Sequence, residues 1–289
     1  MRILLIGANG QLAQDLLRFL APDEVVPVTH QQLEICDARA VQALFDAARP
    51  NCVINTAAFH LVDDCEEQAE KAFAVNAAGV SHLARTAQGA GAVFVHFSTD
   101  YVFDGLKQRP YIETDLPWPL SIYGMSKLAG EWGVQRYCEK YFLIRTCGLY
   151  GPGGARREGR KRNFVETMLR LAQEGNLIRV VSDQVSTPTS TRDLAEKLSA
   201  LIRTENYGLY HMTNLGECSW YEFAREIFRQ TRISPQLSPT TSETFGAKAP
   251  RPPYSVLDNA ALRKAGFPDF RPWQEALAEY LHEHQRQNL

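Results

Sequence analysis

The sequence predicts an α/β protein, a Rossmann-like doubly wound parallel sheet carrying a smaller C-terminal substrate-binding subdomain. Three observations lead there. Apolar runs of strand length alternate with segments whose apolar residues recur every three or four positions. The first of these runs leads into a glycine-bearing turn that opens a helical pattern. After Tyr150 the alternation gives way to turns, a basic run and scattered helices.

Ile3 to Ile6 is short and continuously apolar, as a strand covered on both faces must be. Leu12 to Leu20 follows as a helix, with Leu12, Leu16, Phe19 and Leu20 on one stripe. Glu24 to Val28 reads as the second strand. Val41, Leu44, Phe45 and Ala48 then mark the buried stripe of the second helix. Cys52 to Asn55, Ala92 to Phe97 and Tyr141 to Ile144 supply the remaining parallel strands. Past Gly151-Pro152-Gly153-Gly154 and the basic run Arg156, Arg157, Arg160, Lys161 and Arg162, a helix is expected from about Phe164 to Glu174. A capped helix after Asp193, a short strand over Gly208 to Met212 and helices near Trp220 to Gln230 and Pro272 to Gln285 complete the chain. The expected division is 1–145 as the dinucleotide-binding domain, with 178–211 returning to it, and 146–177 plus 212–289 as the substrate-binding subdomain.

With 289 residues, 45% hydrophobic and 22% charged, the chain can bury a large core. A net charge of -2 and a pI near 6.4 give none of the broad positive field that nucleic acid or an anionic membrane selects. No apolar run approaches the roughly 20 residues of a membrane span. Six cysteines without a CxxC pair, and a first strand that begins at once, point to the cytoplasm. No cluster of His, Cys or carboxylates has metal-ligand spacing.

Between the first strand and helix lies Gly7-Ala8-Asn9-Gly10-Gln11-Leu12-Ala13, a GxxGxxA pattern. Gly7 permits the tight turn and Gly10 lets the backbone approach a pyrophosphate. Asn9, Gln11 and Leu12 share the turn, and the helix aims its free N–H groups and positive dipole end at the anion. The end of the second strand ordinarily selects the cofactor, an acid for a ribose diol and a basic residue for a 2'-phosphate. Thr29 and His30 stand there, so NAD(H) and NADP(H) both stay open, with the missing carboxylate favouring NADP(H). Asp37 has two readings, a hydrogen bond to adenine or the cap of the helix that follows it.

Tyr123 and Lys127, four residues apart, fall on one helix face. A phenol near an ammonium is an acid suited to protonating a ketone oxygen, with Lys127 also placed for the nicotinamide ribose. Thr99, at the carboxyl end of a strand, offers a hydroxyl to the same oxygen; Ser98 is the weaker candidate.

These residues resemble the extended short-chain dehydrogenases and, within them, the dTDP-4-dehydrorhamnose reductase family. The resemblance runs nearly end to end, through Gly7 to Ala13, Asn55-Thr56-Ala57-Ala58, Val75-Asn76-Ala77, the specific block STDYVFDG (98–105), Tyr123 with Lys127, Asn163-Phe164 and Arg251-Pro252. It implies that Thr99, Tyr123 and Lys127 are catalytic and that Ala57 and Ala58 line the cofactor. It further implies that Asp100 and Tyr101 contact the sugar, and that Asn163 and Arg251 contact the nucleotide diphosphate. For each of the last two, capping or surface solvation is the alternative reading.

The implied reaction is NAD(P)H-dependent reduction of dTDP-4-dehydrorhamnose to dTDP-rhamnose. The expected partner is a sugar nucleotide, and a homodimer is compatible with the chain. Magnesium binds some family members, but no ligand cluster here supports it. One departure is notable: the family's RTSWVYG is Arg145-Thr146-Cys147-Gly148-Leu149-Tyr150-Gly151 here, so Gly148 replaces a substrate-binding tryptophan. Sugar-nucleotide dehydratases and epimerases are the nearer rivals. Dehydratases carry an Asp-Glu pair after the threonine, where this chain has Asp100-Tyr101. The rival of another class is a binding protein like the regulatory subunit of methionine adenosyltransferase, which also resembles this sequence.

Overall fold

A computed structural model describes residues 1–152 and 163–287, so the basic run 156–162 lies outside the described residues. Six parallel strands form the central sheet: β1 (Arg2–Ile6), β2 (Glu24–Val28), β3 (Cys52–Asn55), β4 (Val93–Thr99), β5 (Tyr141–Thr146) and β6 (Gly208–His211), in spatial order β6-β5-β4-β3-β1-β2. The winding reverses between β1 and β3, and open sheets of this kind bind ligands outside the strand ends at that reversal.

Strand alternation sends successive side chains to opposite faces, which makes two cores. Ile3 and Leu5 pack against Leu12 and Leu16 of α1 (Gln11–Phe19), together with Leu194 and Leu198 of a later helix. Leu4 and Ile6 pack against Val41 and Phe45 of α2 (Ala38–Ala48), with Val80, Leu83 and Val134 on the same side. Those last residues belong to α3 (Val80–Gly89) and α4 (Ile122–Tyr137).

Between β3 and α3 the chain forms short helices at Val62–Glu67 and Ala69–Phe73 and a π-helical turn at Ala74–Gly79. Periodicity gave no sign of these, because segments of five or six residues are too short to show a stripe. The π turn includes buried Asn76. Its amide oxygen accepts from Phe59 N–H at 2.9 Å, and its nitrogen donates to Phe59 O and Ser126 Oγ at 2.9 and 3.0 Å. One side chain thereby ties the loop after β3 to α4.

The remaining long helices are α5 (Phe164–Glu174), α6 (Thr191–Leu201), α7 (Trp220–Thr231) and α8 (Trp273–Gln287), with short ones at Ser242–Phe245 and Ala260–Lys264. Tyr150, Met168, Phe223, Ile227 and Leu277 form a separate core with Ile178 and Val180. Of the 178–211 stretch, strand Ile178–Val181 therefore packs in this second core, paired with Leu237–Thr240. Helix α6 and β6 lie with the main sheet. Leu262 and Phe270, from the C-terminal stretch, also pack there. The helix expected after Asp193 instead starts at Thr191 with Ser190 at its N-cap. Asp193 sits in the first turn, where a carboxylate suits the helix dipole, and binds Arg271 and Asn214 at 2.7 Å. Strand β4 runs two residues past Phe97, because Ser98 and Thr99 stay in register with Arg145 and Thr146. An apolar-run criterion stops at the first hydroxyl, but the ladder does not.

Candidate active site

The carboxyl ends of β1, β3 and β4 lie side by side on one edge of the sheet. Gly7 has φ +80, and its N–H donates to Val28 O at 2.8 Å. A Cβ there would lie 2.6 Å from Thr56 Oγ1 and 2.9 Å from Ala57 N, so only glycine allows the β1 turn to close on the β3 turn. Gly10 stands at the N-cap of α1 with no side-chain cap, and the first bond back into the helix comes from Gln14 N–H to Gly10 O. The preceding N–H groups of α1 have no intrahelical acceptors, a fit for a pyrophosphate.

Asn9 lies in this turn. The Gln11 side chain donates to Leu149 O at 3.1 Å, bridging to the chain beyond β5. The Leu12 side chain is buried in the first core, leaving only its backbone for a ligand. Ala57 and Ala58 are half-buried at the end of β3, with Ala57 N–H donating to Asn55 Oδ1 at 3.1 Å. Past β2, Thr29 is committed to a turn through Gln32 Oε1, and His30 is exposed, 3.8 Å from Glu34. Asp37 takes its capping reading: Oδ1 accepts from Arg39 and Ala40 N–H at 2.9 and 3.1 Å.

Thr99, Tyr123 and Lys127 converge where β4 meets α4. Ser121 caps α4, accepting Gly124 N–H at 3.2 Å, which sets Tyr123 in the first turn. Burial pushes the Tyr123 phenol upward; a Thr99 hydrogen bond opposes this, while Asp100 and Cys65 add to it. Thr99 Oγ1 accepts Tyr101 N–H at 3.1 Å and donates to Asp100 Oδ1 at 3.0 Å. Its one proton therefore points at Asp100, and donation to a ketone oxygen requires the hydroxyl to rotate. Ser98 lies on the opposite side of the strand by alternation, its buried hydroxyl without a partner.

Lys127 is buried, and burial pulls its ammonium down to about 8, with Glu131 acting against the fall. Its Nζ donates to Phe97 O at 2.6 Å and lies 3.4 Å from His96 Nε2. The four-residue spacing leads one to expect the ammonium beside the phenol; in the structure it donates to the backbone carbonyl of Phe97.

Asp100 is buried, and Ser255 Oγ donates to its Oδ2 at 2.6 Å, so a segment 155 residues away is tied to the end of β4. Burial raises the Asp100 carboxyl to about 6 despite that bond and the one from Thr99. An acid raised in the folded state contributes stability below its unfolded value near 4 that is lost as pH climbs through about 6. Urea midpoints of wild type and Asp100→Asn should therefore shift relative to each other between pH 4 and 7, the variant gaining at the upper end. A difference constant with pH would refute this.

The Tyr101 ring meets Tyr123 edge-on, centroids 6.1 Å apart. Arg251 is close enough to act on the Tyr101 phenol and is itself held by Asp63 at 3.1 Å and Ala249 O at 2.9 Å. Asn163 lies apart from this group. Its Oδ1 caps α5 through Glu166 N–H at 3.0 Å, and its nitrogen donates to Gly151 O and Tyr280 Oη, both at 3.1 Å. With both amide protons engaged inside the protein, the capping reading accounts for Asn163.

Spacing and motif in the sequence assign no role to His96, Ser255, Asp63, Asn55 or Asn76. The available signal was His96 two residues before Ser98 on an otherwise apolar strand. Among the described residues no group of three His, Cys, Asp or Glu is arranged to hold a metal ion, and no helix is long and apolar enough to cross a membrane.

The family model described as RmlD substrate binding domain matches residues 1–286. The chain belongs to the dTDP-4-dehydrorhamnose reductase family. A spore coat polysaccharide biosynthesis protein, SpsK, of Bacillus subtilis strain 168 is 43% identical over 98% of this chain and 97% of its own. The crystal structure of a dTDP-4-dehydrorhamnose reductase from Clostridium acetobutylicum superposes with a TM-score of 0.94 at 44% identity, covering 99% of this chain and 100% of that one. A dTDP-4-dehydrorhamnose reductase from Bacillus anthracis in complex with NADP gives 0.93 at 39% identity, covering 98% and 99%.

Against the tryptophan-bearing pattern of this reductase family, Gly148 adopts φ +55, and a Cβ there would lie 3.1 Å from Pro188 Cα and 3.2 Å from Thr187 O. The left-handed backbone and the close 187–188 segment both oppose a side chain, so Gly148 is not a simple truncation of the family residue.

Proposed function

We propose that this protein reduces the 4-keto group of a dTDP-linked 6-deoxy sugar with NAD(P)H, dTDP-4-dehydrorhamnose being the substrate and dTDP-rhamnose the product. The reading is carried by Thr99 at the carboxyl end of β4 hydrogen-bonding with Tyr123 of α4, with Lys127 one turn on donating to Phe97 O of the same strand. Two relatives are named for this reaction, and one of them holds NADP.

The Gly7 turn and the α1 N-terminus would hold the pyrophosphate. Bound there, NAD(P)H supplies the hydride. Tyr123 Oη supplies the proton: burial raises its pKa, which keeps the phenol protonated at neutral pH, and the alkoxide formed as the hydride arrives takes that proton. Thr99 Oγ1 orients the phenol and, once rotated from Asp100, stabilises the developing charge. Tyr101 follows Asp100 where elimination would need a second carboxylate, which favours reduction over dehydration.

Purified protein should consume reduced nicotinamide in step with dTDP-4-dehydrorhamnose. Failure to consume it with any 4-keto-6-deoxy sugar nucleotide, with NADH and NADPH alike, rejects the reading.

A further inference from the structure

Beneath Lys127 runs a buried chain of polar groups that begins at the β3 turn. Ala57 N–H donates to Asn55 Oδ1 at 3.1 Å, Asn55 Nδ2 lies 3.2 Å from His96 Nδ1, and His96 Nε2 lies 3.4 Å from Lys127 Nζ. Asn55 and His96 are both fully buried and directly paired across β3 and β4.

The bond network orients every member of this chain. A backbone N–H only donates, so the amide oxygen of Asn55 must face Ala57 and the NH2 must face His96. His96 Nδ1 then accepts. A neutral imidazole has one N–H, which leaves Nε2 protonated and aimed at Lys127. The lysine nitrogen thus meets the positive end of a neutral ring dipole where an acceptor would have stabilised an ammonium.

We propose that His96 is a positioning residue that, locked by Asn55 as its Nε2–H tautomer, favours the neutral amine of Lys127 and links that state to the backbone of the β3 turn. The inference rests on the catalytic reading of Lys127 only for its consequence; the tautomer itself does not depend on it.

The surroundings support the assignment. Burial holds His96 well below the usual histidine range, so the ring stays neutral, and it lies parallel to Phe94. Of the charged groups on elements packed around α4, Glu131 acts on Lys127 from its own helix and is paired with Arg145 of β5. Asp100 and Cys65 act on Tyr123. Lys71 lies over the Phe59 ring, and Arg85 of α3 over Tyr137 at the far end of α4. His96 is the titratable group of β4 that meets Lys127 directly.

Nitrogen NMR of the histidine rings in the cofactor-free full chain, assigned by loss of the signal in His96→Asn, reads the tautomer without any assay. The expected result is an Nε2–H ring that does not titrate between pH 6 and 9. A proton found on Nδ1 overturns the proposal. In His96→Asn the amide can keep the partner for Asn55 while the N–H facing lysine is gone. The Lys127 titration, followed through its Cε resonance, should move upward from near 8 by about one unit. An unmoved midpoint also overturns the proposal. His96→Gln offers lysine an oxygen and should move it the same way, so the test survives if one variant folds poorly. Absence of reductase activity would reject the functional reading while leaving these two readouts intact.

Discussion

Tyr123→Phe should retain cofactor binding and lose about 10²- to 10⁴-fold in kcat, the range expected when a positioned general acid is removed. The substitution deletes one oxygen and keeps the ring, so the edge-on contact with Tyr101 and the helix start capped by Ser121 persist. What disappears is the phenol proton, on a side chain that hydrogen-bonds with Thr99. The loss should fall on kcat and not on KM, because the phenol's proton is worth most when charge develops on the sugar oxygen. Steady-state rates together with a cofactor titration check this. Near-normal turnover, or a defect confined to cofactor affinity, would remove Tyr123 from the chemistry.

Arg145→Ala should cost about 3–5 kcal/mol of stability, the range for breaking a buried ion pair from one side. Arg145 of β5 makes a two-pronged contact with Glu131 of α4, at 2.8 and 2.6 Å, and the two side chains are 3% and 2% exposed. The guanidinium also lies over Phe103 at 5.1 Å. Removing it strands a carboxylate in the interior, and an isolated buried charge is far more costly than the pair. The double variant Arg145→Met with Glu131→Met should recover much of the loss, because neither charge is then left alone. Urea unfolding of the two variants decides the matter: a single-variant loss under about 1 kcal/mol would mean that water reaches the pair. Glu131 is also one turn from Lys127 and holds its ammonium up against burial.

The parts of the candidate site legible in the sequence are those whose residues lie close together in the chain. The Gly7 turn, the STDYVFDG block and the Tyr123/Lys127 pair are each contained in a single element or turn. His96 is missed because a histidine inside an apolar strand looks the same whether it is a satisfied core residue or a partner of something across the sheet. Lys127 is assigned to the phenol because helix spacing places both on one face. The buried ammonium also donates to a backbone carbonyl, a contact that spacing does not reveal. Asn163 and Asp37 carried two readings each, and capping bonds to Glu166, Arg39 and Ala40 supply the local one.

From sequence alone, then, came the alternation that makes a doubly wound sheet, the turn fit for a pyrophosphate and the presence of an acid suited to ketone reduction. All three are periodicities or spacings within one stretch of chain, and steric and dipolar rules act on such stretches directly. Only the tertiary structure decided that Asn55 would orient His96 beneath Lys127, that Ser255 would hold Asp100 from 155 residues away, and that Glu131 would pair with Arg145. Contacts of that kind depend on strand register and on which helix covers which face, and those are set by closing the whole core at once.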